Sequence, residues 1–434
     1  MQGGSLDAAT TVVQSVGGEV VRTLAVINAV GATLTESELA ALDAVLGITV
    51  YANHGVESAG KPPKDSGGDS GDSGSSSSDN DGTYMNAMIE ADRVHDLGID
   101  GYGVTVAVID SGLWKKSGTQ YNAYQEHRIL AQYDVIRDRE ENFYEQNSYT
   151  TDIDDASGHG THVTSVLANS DHTFARGVAP SVDLVAVRAL DGNGQGTYLD
   201  VIAAVDWVVA HQYDYNIKVL NMCLSAPPRS HYWEDPLNQA VMAAWQAGIV
   251  VVASAGNTGP VAQSIGVPGN VPYVITVGAV SNAYTTADSS DDFLASFSSV
   301  GPTYEGFVKP EVVAPGGHIL GMMGWYTEIG ENHPEYRVVY PYYSMSGTSQ
   351  AAAITTGVVA LMLQADPSLT PDDVKCRLMA SARPAVEADG SLAYSVFQQG
   401  AGMVNAYDAA RSTDTGCANL GTNIQLDLAG TQHY

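Results

Sequence analysis

The chain has 434 residues, enough to bury a large core and to form more than one domain. It carries 49 acidic and 19 basic residues, and its net charge of −30 excludes nucleic acid as a partner, because nucleic-acid binding needs basic patches. No run of about 18 apolar residues occurs, so no transmembrane helix and no membrane partner are expected. The acidity is spread along the chain. It fits either a soluble extracellular protein that resists association or adaptation to salty surroundings.

The first 51 residues are predicted to form a small α+β unit. Residues 20–27 are β-branched and alternate in polarity, as in a strand, and residues 31–34 fit the start of a second strand. Thr35 precedes two acidic residues of a predicted first helical turn, and apolar residues then recur at helical spacing up to Leu46. Residues 48–51 complete a β-β-α-β order. The opening MQGGS lacks the features of a signal peptide.

Residues 52–83 are predicted to be a linker. From Lys61 to Gly82 the sequence KPPKDSGGDSGDSGSSSSDNDG is rich in Ser, Gly and Asp. It offers nothing with which to pack, so we expect a flexible and solvated segment. The linker separates the N-terminal unit from a much larger one.

Residues 84–411 alternate between apolar, strand-like runs and helical segments. The predicted strands are 104–109, 184–189, 219–221, 249–253 and 274–280, and the predicted helices are 161–169, 197–212, 236–247, 349–364 and 371–382. This alternation predicts a three-layer α/β fold with a central, mostly parallel sheet and helices on both faces. In such sheets ligands bind beyond the carboxyl ends of the strands. Residues 412–434 form a C-terminal tail in this interpretation.

Three short segments far apart in the chain supply the side chains of a serine-type catalytic triad. Asp110 ends the run VTVAVIDSG, His159 lies between two glycines in GHGTHV, and Ser349 opens a predicted helix in SGTSQAAA. A serine hydroxyl needs a base within reach, an imidazole titrates near neutral pH, and a carboxylate orients the imidazole and stabilises its charged form. Taken alone, Ser349 could be an ordinary helix N-cap and Asp110 could be an ordinary turn residue after a strand. Together the three residues predict one site.

A fourth segment, VVASAGNTG, adds an amide at the end of another predicted strand. Asn257 can donate its side-chain N–H to an oxyanion, with the backbone N–H of Ser349 as its natural companion, although Asn after Gly also serves simple turns. His162 follows His159 by three residues, but GHGTH lacks the HExxH pattern of a zinc site. We therefore expect His162 to be a packed helix residue, and no catalytic metal.

These four segments, in the chain order Asp, His, Ser, resemble the subtilisin-like serine proteases (subtilases, peptidase S8). The resemblance extends over nearly all of the large unit and includes residues 297–302 (FSSVGP), 309–316 (KPEVVAPG) and 400–406 (GAGMVNA). It implies that Ser349 is the nucleophile, His159 the proton carrier and Asp110 the orienting carboxylate. It also implies that Asn257 binds the oxyanion and that the chemistry requires no cofactor.

The N-terminal unit resembles the second part of a subtilase propeptide, a ferredoxin-like α+β domain of the inhibitor I9 type, whose first strand would be missing here. The resemblance implies an intramolecular inhibitor and folding aid over residues 1–51, with the maturation cut inside residues 52–83. An unrelated small α/β module is the alternative interpretation.

Substrate subsites follow from the same resemblance. A substrate strand would lie between two extended edges of the protein and pair with the backbone of both. One edge consists of Gly194, Gln195 and Gly196, and the other of Leu224, Ser225 and Ala226. The S1 pocket, which takes the side chain just before the cleaved bond (P1), would be lined by Ala253, Ser254, Ala255 and Gly256 and closed by Gly266. No acid occurs in these segments and glycine leaves room, so a large apolar or aromatic P1 is expected. Alternatively, Gly266 serves only a turn.

The chain departs from the family pattern at several points. Gln350 stands where a Met commonly follows the nucleophile and Ala353 where a Pro is common, and neither change removes a catalytic group. The loop 169–176 is shorter than the calcium loop of compact bacterial members, so that calcium site is not expected. Asp152, Asp154 and Asp155 are candidate ligands of a structural calcium, or else form a solvated acidic loop. Asp155 could also line the cleft near His159.

Three cysteines leave at least one thiol unpaired. Cys376 and Cys417 could be bridged in an oxidising compartment, and Cys223 is expected to be a small buried residue. The sequence thus predicts a secreted serine endopeptidase, made as a zymogen, that acts on protein or peptide substrates. A peptide ligase or cyclase that uses the same acyl-enzyme, and a catalytically silent binding scaffold, are the alternatives.

Overall fold

The computed structural model describes residues 1–42, 47–59, 84–142, 154–172, 174–281 and 292–434. Its N-terminal part contains, in chain order, α1 (Leu6–Ser15), β1 (Glu19–Leu24), β2 (Ala29–Thr33) and α2 (Glu36–Leu42). The antiparallel pair of β1 and β2 agrees with the predicted strands, except that residues 25–27 form a short 3-10 turn. Helix α1 was not predicted. Of the predicted strand 48–51, only Thr49 forms a bridge, to Gln2, which also bridges Ala29; residues 43–46 of the predicted helix lie outside the described residues.

The remaining strands and helices follow in two series. The strands are β3 (Gly55–Ser58), β4 (Thr105–Asp110), β5 (Ile129–Asp134), β6 (Arg139–Asn142), β7 (Asp183–Arg188), β8 (Gln195–Thr197), β9 (Ile217–Met222), β10 (Leu224–Ser225), β11 (Val250–Ser254), β12 (Ile275–Ser281), β13 (Phe293–Leu294), β14 (Val312–Pro315), β15 (Ile319–Met322), β16 (Arg337–Val339) and β17 (Tyr342–Met345). The helices are α3 (Tyr84–Met88), α4 (Ala91–His95), α5 (Ser117–Gln120), α6 (His159–Ala168), α7 (Tyr198–Ala210), α8 (Pro236–Gln246), α9 (Glu328–Asn332), α10 (Thr348–Ala365), α11 (Pro371–Ala380), α12 (Val396–Gln399), α13 (Ala406–Arg411) and α14 (Ile424–Leu428).

The central sheet has the strand order β13-β12-β11-β9-β4-β7-β5-β6, with β14 beside β12. The pairs from β12 to β5 along this order are parallel, as is β12 with β14, and only β13 and β6 join antiparallel. All five predicted strands and all five predicted helices of this unit are present. The expected α/β fold with a mostly parallel sheet is therefore confirmed. Strands β5 and β14 and the small antiparallel sheet β15-β17-β16 were not predicted.

Both faces of the central sheet are covered. Every residue of β4, β11 and β12 is buried, as in parallel sheets packed between two helical layers. Helix α10 lies deepest, since all of its residues from Thr348 to Leu363 are buried. A helix enclosed in this way positions its first turn rigidly. Within the described ranges, no helix combines the length and apolarity that crossing a bilayer requires.

The N-terminal unit packs against α7 and α8 of the larger unit. Arg22 donates to the carbonyl of Val135 at 2.8 Å, the Val26 N–H donates to Asp206 of α7 at 2.6 Å, and Gln2 bonds Gln239 of α8 at 2.6 Å. These contacts fix the position of the N-terminal unit on the larger unit, and with it the point from which residues 52–59 continue. The following residues are anchored too, because the carbonyl of His54 accepts from the Tyr198 N–H at 2.9 Å.

The chain just after this anchor is not the free linker that the sequence predicts from residue 52. Residues 55–58 form β3, which is the middle strand of a three-stranded antiparallel sheet of order β10-β3-β8. A strand this short has little periodic signal of its own, and it is held by partners far away in the chain. The Ser/Gly/Asp-rich part of the predicted linker, residues 60–83, lies outside the described residues.

The C-terminal tail is packed onto the large unit. Cys376 of α11 and Cys417 form a disulfide, and Asp427 of α14 accepts hydrogen bonds from the buried hydroxyls of Tyr232 at 2.6 Å and Tyr273 at 3.1 Å. The third cysteine, Cys223, is a free and buried thiol, as predicted. Because of these links, residues 412–434 behave structurally as part of the large unit.

A buried cluster of charged side chains lies next to β14. Glu311 contacts the ammonium groups of Lys309 at 2.7 Å and Lys375 at 2.9 Å, and it accepts from the Thr276 N–H at 2.8 Å. Burial lowers the pKa of Lys309 to about 7, although the charge of Glu311 opposes this shift. One carboxylate thus compensates two buried cations.

We expect Glu311→Gln to destabilise the fold strongly, because it leaves two lysines buried without an anion. Breaking a buried ion pair from one side costs about 3–5 kcal/mol. Guanidinium-induced unfolding followed by intrinsic fluorescence would measure the loss. Glu335→Gln, at an exposed carboxylate that pairs with His333, is the matched control and should leave the midpoint unchanged. Equal midpoints for the two variants would contradict the role assigned to Glu311.

Candidate active site

The structure brings the four predicted catalytic residues to one end of the central sheet. Asp110 ends β4, which β7 and β9 hold on either side, and His159 is the first residue of α6. Ser349 lies in the first turn of the buried helix α10, and Asn257 follows β11. The side chains of Asp110, His159 and Ser349 are all buried. Segments separated by more than two hundred residues thus meet at the carboxyl ends of parallel strands.

Asp110 and His159 form a direct pair. The Nδ1 atom of His159 lies 2.7 Å from Oδ1 of Asp110, which also accepts from the Ser111 N–H at 2.8 Å. Burial lowers the pKa of His159, but the charges of Asp110 and Asp155 and the hydrogen bond to Asp110 outweigh it and leave the pKa raised above its usual value. Nδ1 is engaged by Asp110, so Nε2 is the nitrogen left to exchange a proton.

Asp155 anchors the helix that carries His159. Its Oδ1 accepts from the Gly158 N–H at 2.8 Å, and its Oδ2 accepts from the N–H and the hydroxyl of Thr161, both at 2.7 Å. The hydroxyl of Ser111 lies 2.9 Å from Asp155 and 3.2 Å from Asp110, so it links the two carboxylates. Asp155 is fully buried, so it does not belong to a solvated loop, and its hydrogen bonds fix the first turn of α6.

The hydroxyl of Ser349 lies against the backbone of Cys223. It donates to the carbonyl of Cys223 at 3.4 Å, while the thiol of Cys223 donates to the carbonyl of Ser349 at 3.2 Å. Among the described residues, Nε2 of His159 is buried and has no hydrogen-bond partner. The described residues thus show no hydrogen bond between the Ser349 hydroxyl and His159.

Asn257 has two distinct hydrogen-bonding roles. Its Oδ1 accepts from the N–H of Thr348 at 3.0 Å and from the Thr348 hydroxyl at 2.9 Å, which ties it to the first turn of α10. Its Nδ2 donates to the carbonyl oxygen of Ala59. The amide that the sequence predicts as an oxyanion donor thus donates to a peptide carbonyl of this same chain.

The two predicted substrate edges are occupied by β3. On one side, Gly55, Val56 and Glu57 pair with residues 195–197 of β8; on the other, Glu57 and Ser58 pair with residues 224–225 of β10. Two further backbone bonds extend the pairing, from the Ser58 N–H to Gly194 at 2.9 Å and from the Ala59 N–H to Cys223 at 3.1 Å. Residues 55–59 therefore lie between the edges as an extended peptide. This segment could not be identified from the sequence, since GVESA carries no distinctive pattern.

The predicted walls of the S1 pocket adjoin one another. Ala253 and Ser254 end β11, and the Ala255 N–H that follows donates to Val277 of β12 at 2.9 Å. The Gly256 N–H donates to the Thr348 hydroxyl at 3.2 Å, and the Gly266 N–H donates to the carbonyl of Ala255 at 3.2 Å. These segments thus form one connected wall beside the first turn of α10.

No metal site is visible in the described part of the chain, where no group of three or more His, Cys, Asp or Glu side chains could hold an ion. His162 is fully buried, with Nε2 3.1 Å from the Tyr343 carbonyl and Nδ1 3.3 Å from the Gln350 amide, and burial lowers its pKa to about 4. It is the packed helix residue that the sequence predicts. Of the candidate calcium ligands, Asp154 bonds the hydroxyl of Tyr326 at 2.8 Å and Asp152 lies outside the described residues.

Comparisons with known proteins agree with this arrangement. The Subtilase family (peptidase S8) matches residues 101–403. Serine protease AprX of Bacillus subtilis strain 168 is 38% identical over 316 residues, covering 71% of this chain and 66% of AprX. Subtilisin DY of Bacillus licheniformis is 33% identical over 331 residues, covering 76% of this chain and 98% of that protein.

One solved structure extends the likeness to the fold. It is fervidolysin from Fervidobacterium pennivorans, described as a keratinolytic enzyme related to subtilisin, with a TM-score of 0.67 and 25% identity. The match covers 94% of this chain and 59% of fervidolysin, so the chain spans only part of that protein, as it does of AprX. The family match alone covers well over half of the chain. This chain therefore belongs to the subtilase family of serine endopeptidases.

Proposed function

We propose that this protein hydrolyses peptide bonds within protein or peptide substrates, with Ser349 as nucleophile, and that it is made as a zymogen. The observation that carries the proposal is the extended segment 55–59, which pairs with both predicted substrate edges. Its last carbonyl, that of Ala59, accepts a hydrogen bond from Asn257. An oxyanion donor has to contact the carbonyl oxygen of the bond that is cleaved.

In this mechanism Ser349 Oγ attacks the substrate carbonyl carbon while its proton passes to Nε2 of His159. Asp110 holds the imidazole through Nδ1 and stabilises its charged form. Asn257 donates to the oxyanion as the carbonyl becomes tetrahedral. The C–N bond then breaks, His159 returns the proton to the leaving amine, and water hydrolyses the acyl-enzyme by the same steps. No cofactor takes part in this sequence.

Residues 1–59 act as the propeptide in this proposal. The N-terminal unit binds α7 and α8, and its extension delivers Ala59 to the nucleophile, so the cleft of the uncut chain is blocked. The maturation bond is then Ala59–Gly60, the first bond after the paired strand. Substrates would bind as extended strands, because the edges recognise backbone atoms.

The intact mass of the purified chain over time tests this proposal. We expect wild type to be cut after Ala59, and Ser349→Ala to remain whole under the same conditions. Cleavage of both proteins at that bond would show that another protease is responsible and would contradict the role of Ser349. Wild type that stays whole and hydrolyses no peptide at any pH or calcium concentration would contradict the proposal as a whole.

We place the protein outside the cell. The disulfide between Cys376 and Cys417 supports this, because such bonds persist in oxidising compartments. The large apolar or aromatic P1 expected from Gly256 and Gly266 is not part of the proposal, since the residue at the P1 position of the occupied cleft is Ala59.

A further inference from the structure

The hydroxyl of Ser225 lies close to both glycines of the predicted S1 pocket. A Cβ built on Gly256 would lie 3.0 Å from the hydroxyl oxygen of Ser299 and 3.2 Å from that of Ser225. A Cβ built on Gly266 would collide with the hydroxyl oxygen of Ser225 and would lie 3.3 Å from Cβ of Ser225. The Ser225 hydroxyl is therefore close to both Gly256 and Gly266, the two glycines expected to leave room for a long P1 side chain.

The walls around Ser225 are fixed by backbone hydrogen bonds. Ala226 and Val267 exchange two of them, at 3.1 and 2.8 Å, which joins the end of β10 to the loop that carries Gly266. Ser225 itself pairs with Glu57 of β3. Widening the pocket by moving either wall would break bonds that also form the substrate edge.

The residue that occupies the P1 position is small. Ala59 is only 5% exposed. Its N–H donates to the carbonyl of Cys223, and its carbonyl accepts from the side-chain amide of Asn257. Its methyl group is therefore largely shielded from solvent. Val56, three residues earlier, is also buried, so two side chains of the segment contribute to its fit.

We propose that Ser225 sets the P1 specificity of this enzyme by restricting the S1 pocket to small side chains, so that it cleaves after alanine and residues of similar size. This inference rests on the proposed function, and it replaces the large P1 residue expected from the sequence. Ser225 is a specificity residue here and takes no part in the proton transfers.

Fluorogenic peptides Val-Glu-Ser-X, with X as Ala, Leu or Phe, test the proposal, because residues 56–58 of the chain itself supply the first three positions. For the matured wild type we expect kcat/KM to be at least about 10-fold higher with Ala than with Phe, a factor typical of pocket size discrimination. Ser225→Gly should raise the ratio of kcat/KM for the Phe peptide to kcat/KM for the Ala peptide by about 10-fold or more, and Ser225→Ala should raise it by less. Ser391→Gly, at an exposed turn far along the chain, is the matched control and should keep the wild-type ratio.

A second measurement uses the uncut chain. Ala59→Phe should slow maturation by about 10-fold or more, and adding Ser225→Gly should restore much of the rate. A wild type that prefers Phe, or a ratio unchanged in Ser225→Gly, would overturn this inference and leave the proposed function intact. If wild type hydrolyses none of the peptides and behaves like Ser349→Ala, the proposed function fails and the inference fails with it.

Discussion

Replacing Asp110 by Asn should reduce the rate of self-cleavage by about 10⁴-fold, the loss typical of triads that lose this carboxylate. The reason is geometric and electrostatic. Asp110 lies 2.7 Å from Nδ1 of His159, and Asn would favour the wrong imidazole tautomer and remove the charge that stabilises the imidazolium. The first-order rate of cleavage, followed by mass after refolding from denaturant, measures the loss. Asp100→Asn, at another carboxylate that accepts a serine hydroxyl, is the matched control and should cleave at the wild-type rate.

The pH profile gives this prediction a second, independent readout. His159 accepts a proton only when it is neutral, so the rate falls as the pH drops below the pKa of His159. Because that pKa is raised above its usual value, the acid limb of wild type should lie above about pH 6.5. Removing the Asp110 charge lowers the pKa, so the limb of Asp110→Asn should move to lower pH. The role of Asp110 would be contradicted if the acid limb of Asp110→Asn lay at the same pH as that of wild type, or if its self-cleavage rate lay within 10-fold of the wild-type rate.

Asn257→Ala should lower kcat by about 100- to 1,000-fold with little change in KM, as for loss of one oxyanion donor. The amide already donates to the Ala59 carbonyl, and a tetrahedral oxyanion carries more negative charge than that carbonyl. Steady-state kinetics with Val-Glu-Ser-Ala peptides on the matured enzyme separate the two constants.

The same substitution also removes the acceptor for Thr348, so a control has to separate the two roles of Asn257. Thr348→Val deletes one of those hydrogen bonds, together with the one that the Gly256 N–H donates to the Thr348 hydroxyl, and keeps the amide donor of Asn257. Its loss in kcat should be far smaller than that of Asn257→Ala. If the two variants lose the same activity, Asn257 acts by holding the first turn of α10 and its donation to the oxyanion is secondary.

The sequence was most informative where chemistry and fold coincide. Asp110 and Asn257 each follow an apolar, β-branched run, and the carboxyl ends of neighbouring parallel strands converge on one place. His159 and Ser349 begin helices, so their positions follow from the same strand-helix alternation. For this reason the central sheet and its main helices could be predicted from the pattern alone, whereas the choice of these four residues as one site followed from the resemblance to subtilases.

The elements that escaped prediction lack a local signal. Helix α1 (LDAATTVVQS) contains two Thr and two Val, whose β-branched side chains lower helix propensity, and it forms on a cap from Ser5 and on packing with β1 and β2. Strand β3 owes its conformation to β8 and β10. The position of Ser225 could not be predicted for a related reason: glycines suggest free space, and only the fold shows that the Ser225 hydroxyl lies close to both Gly256 and Gly266.

In the proposed zymogen, the three-stranded sheet β10-β3-β8 would affect how the protein behaves before and after the cut. Unpaired strand edges are sites where foreign chains can attach, and proteins usually protect them. In the uncut chain β3 pairs with the edges of both β8 and β10. Neither of these edges is then free to pair with another chain. Departure of β3 would expose two rows of free backbone donors and acceptors. The backbone pairing proposed to bind extended substrates would thus also be a hazard for self-association, which a net charge of −30 counteracts by mutual repulsion.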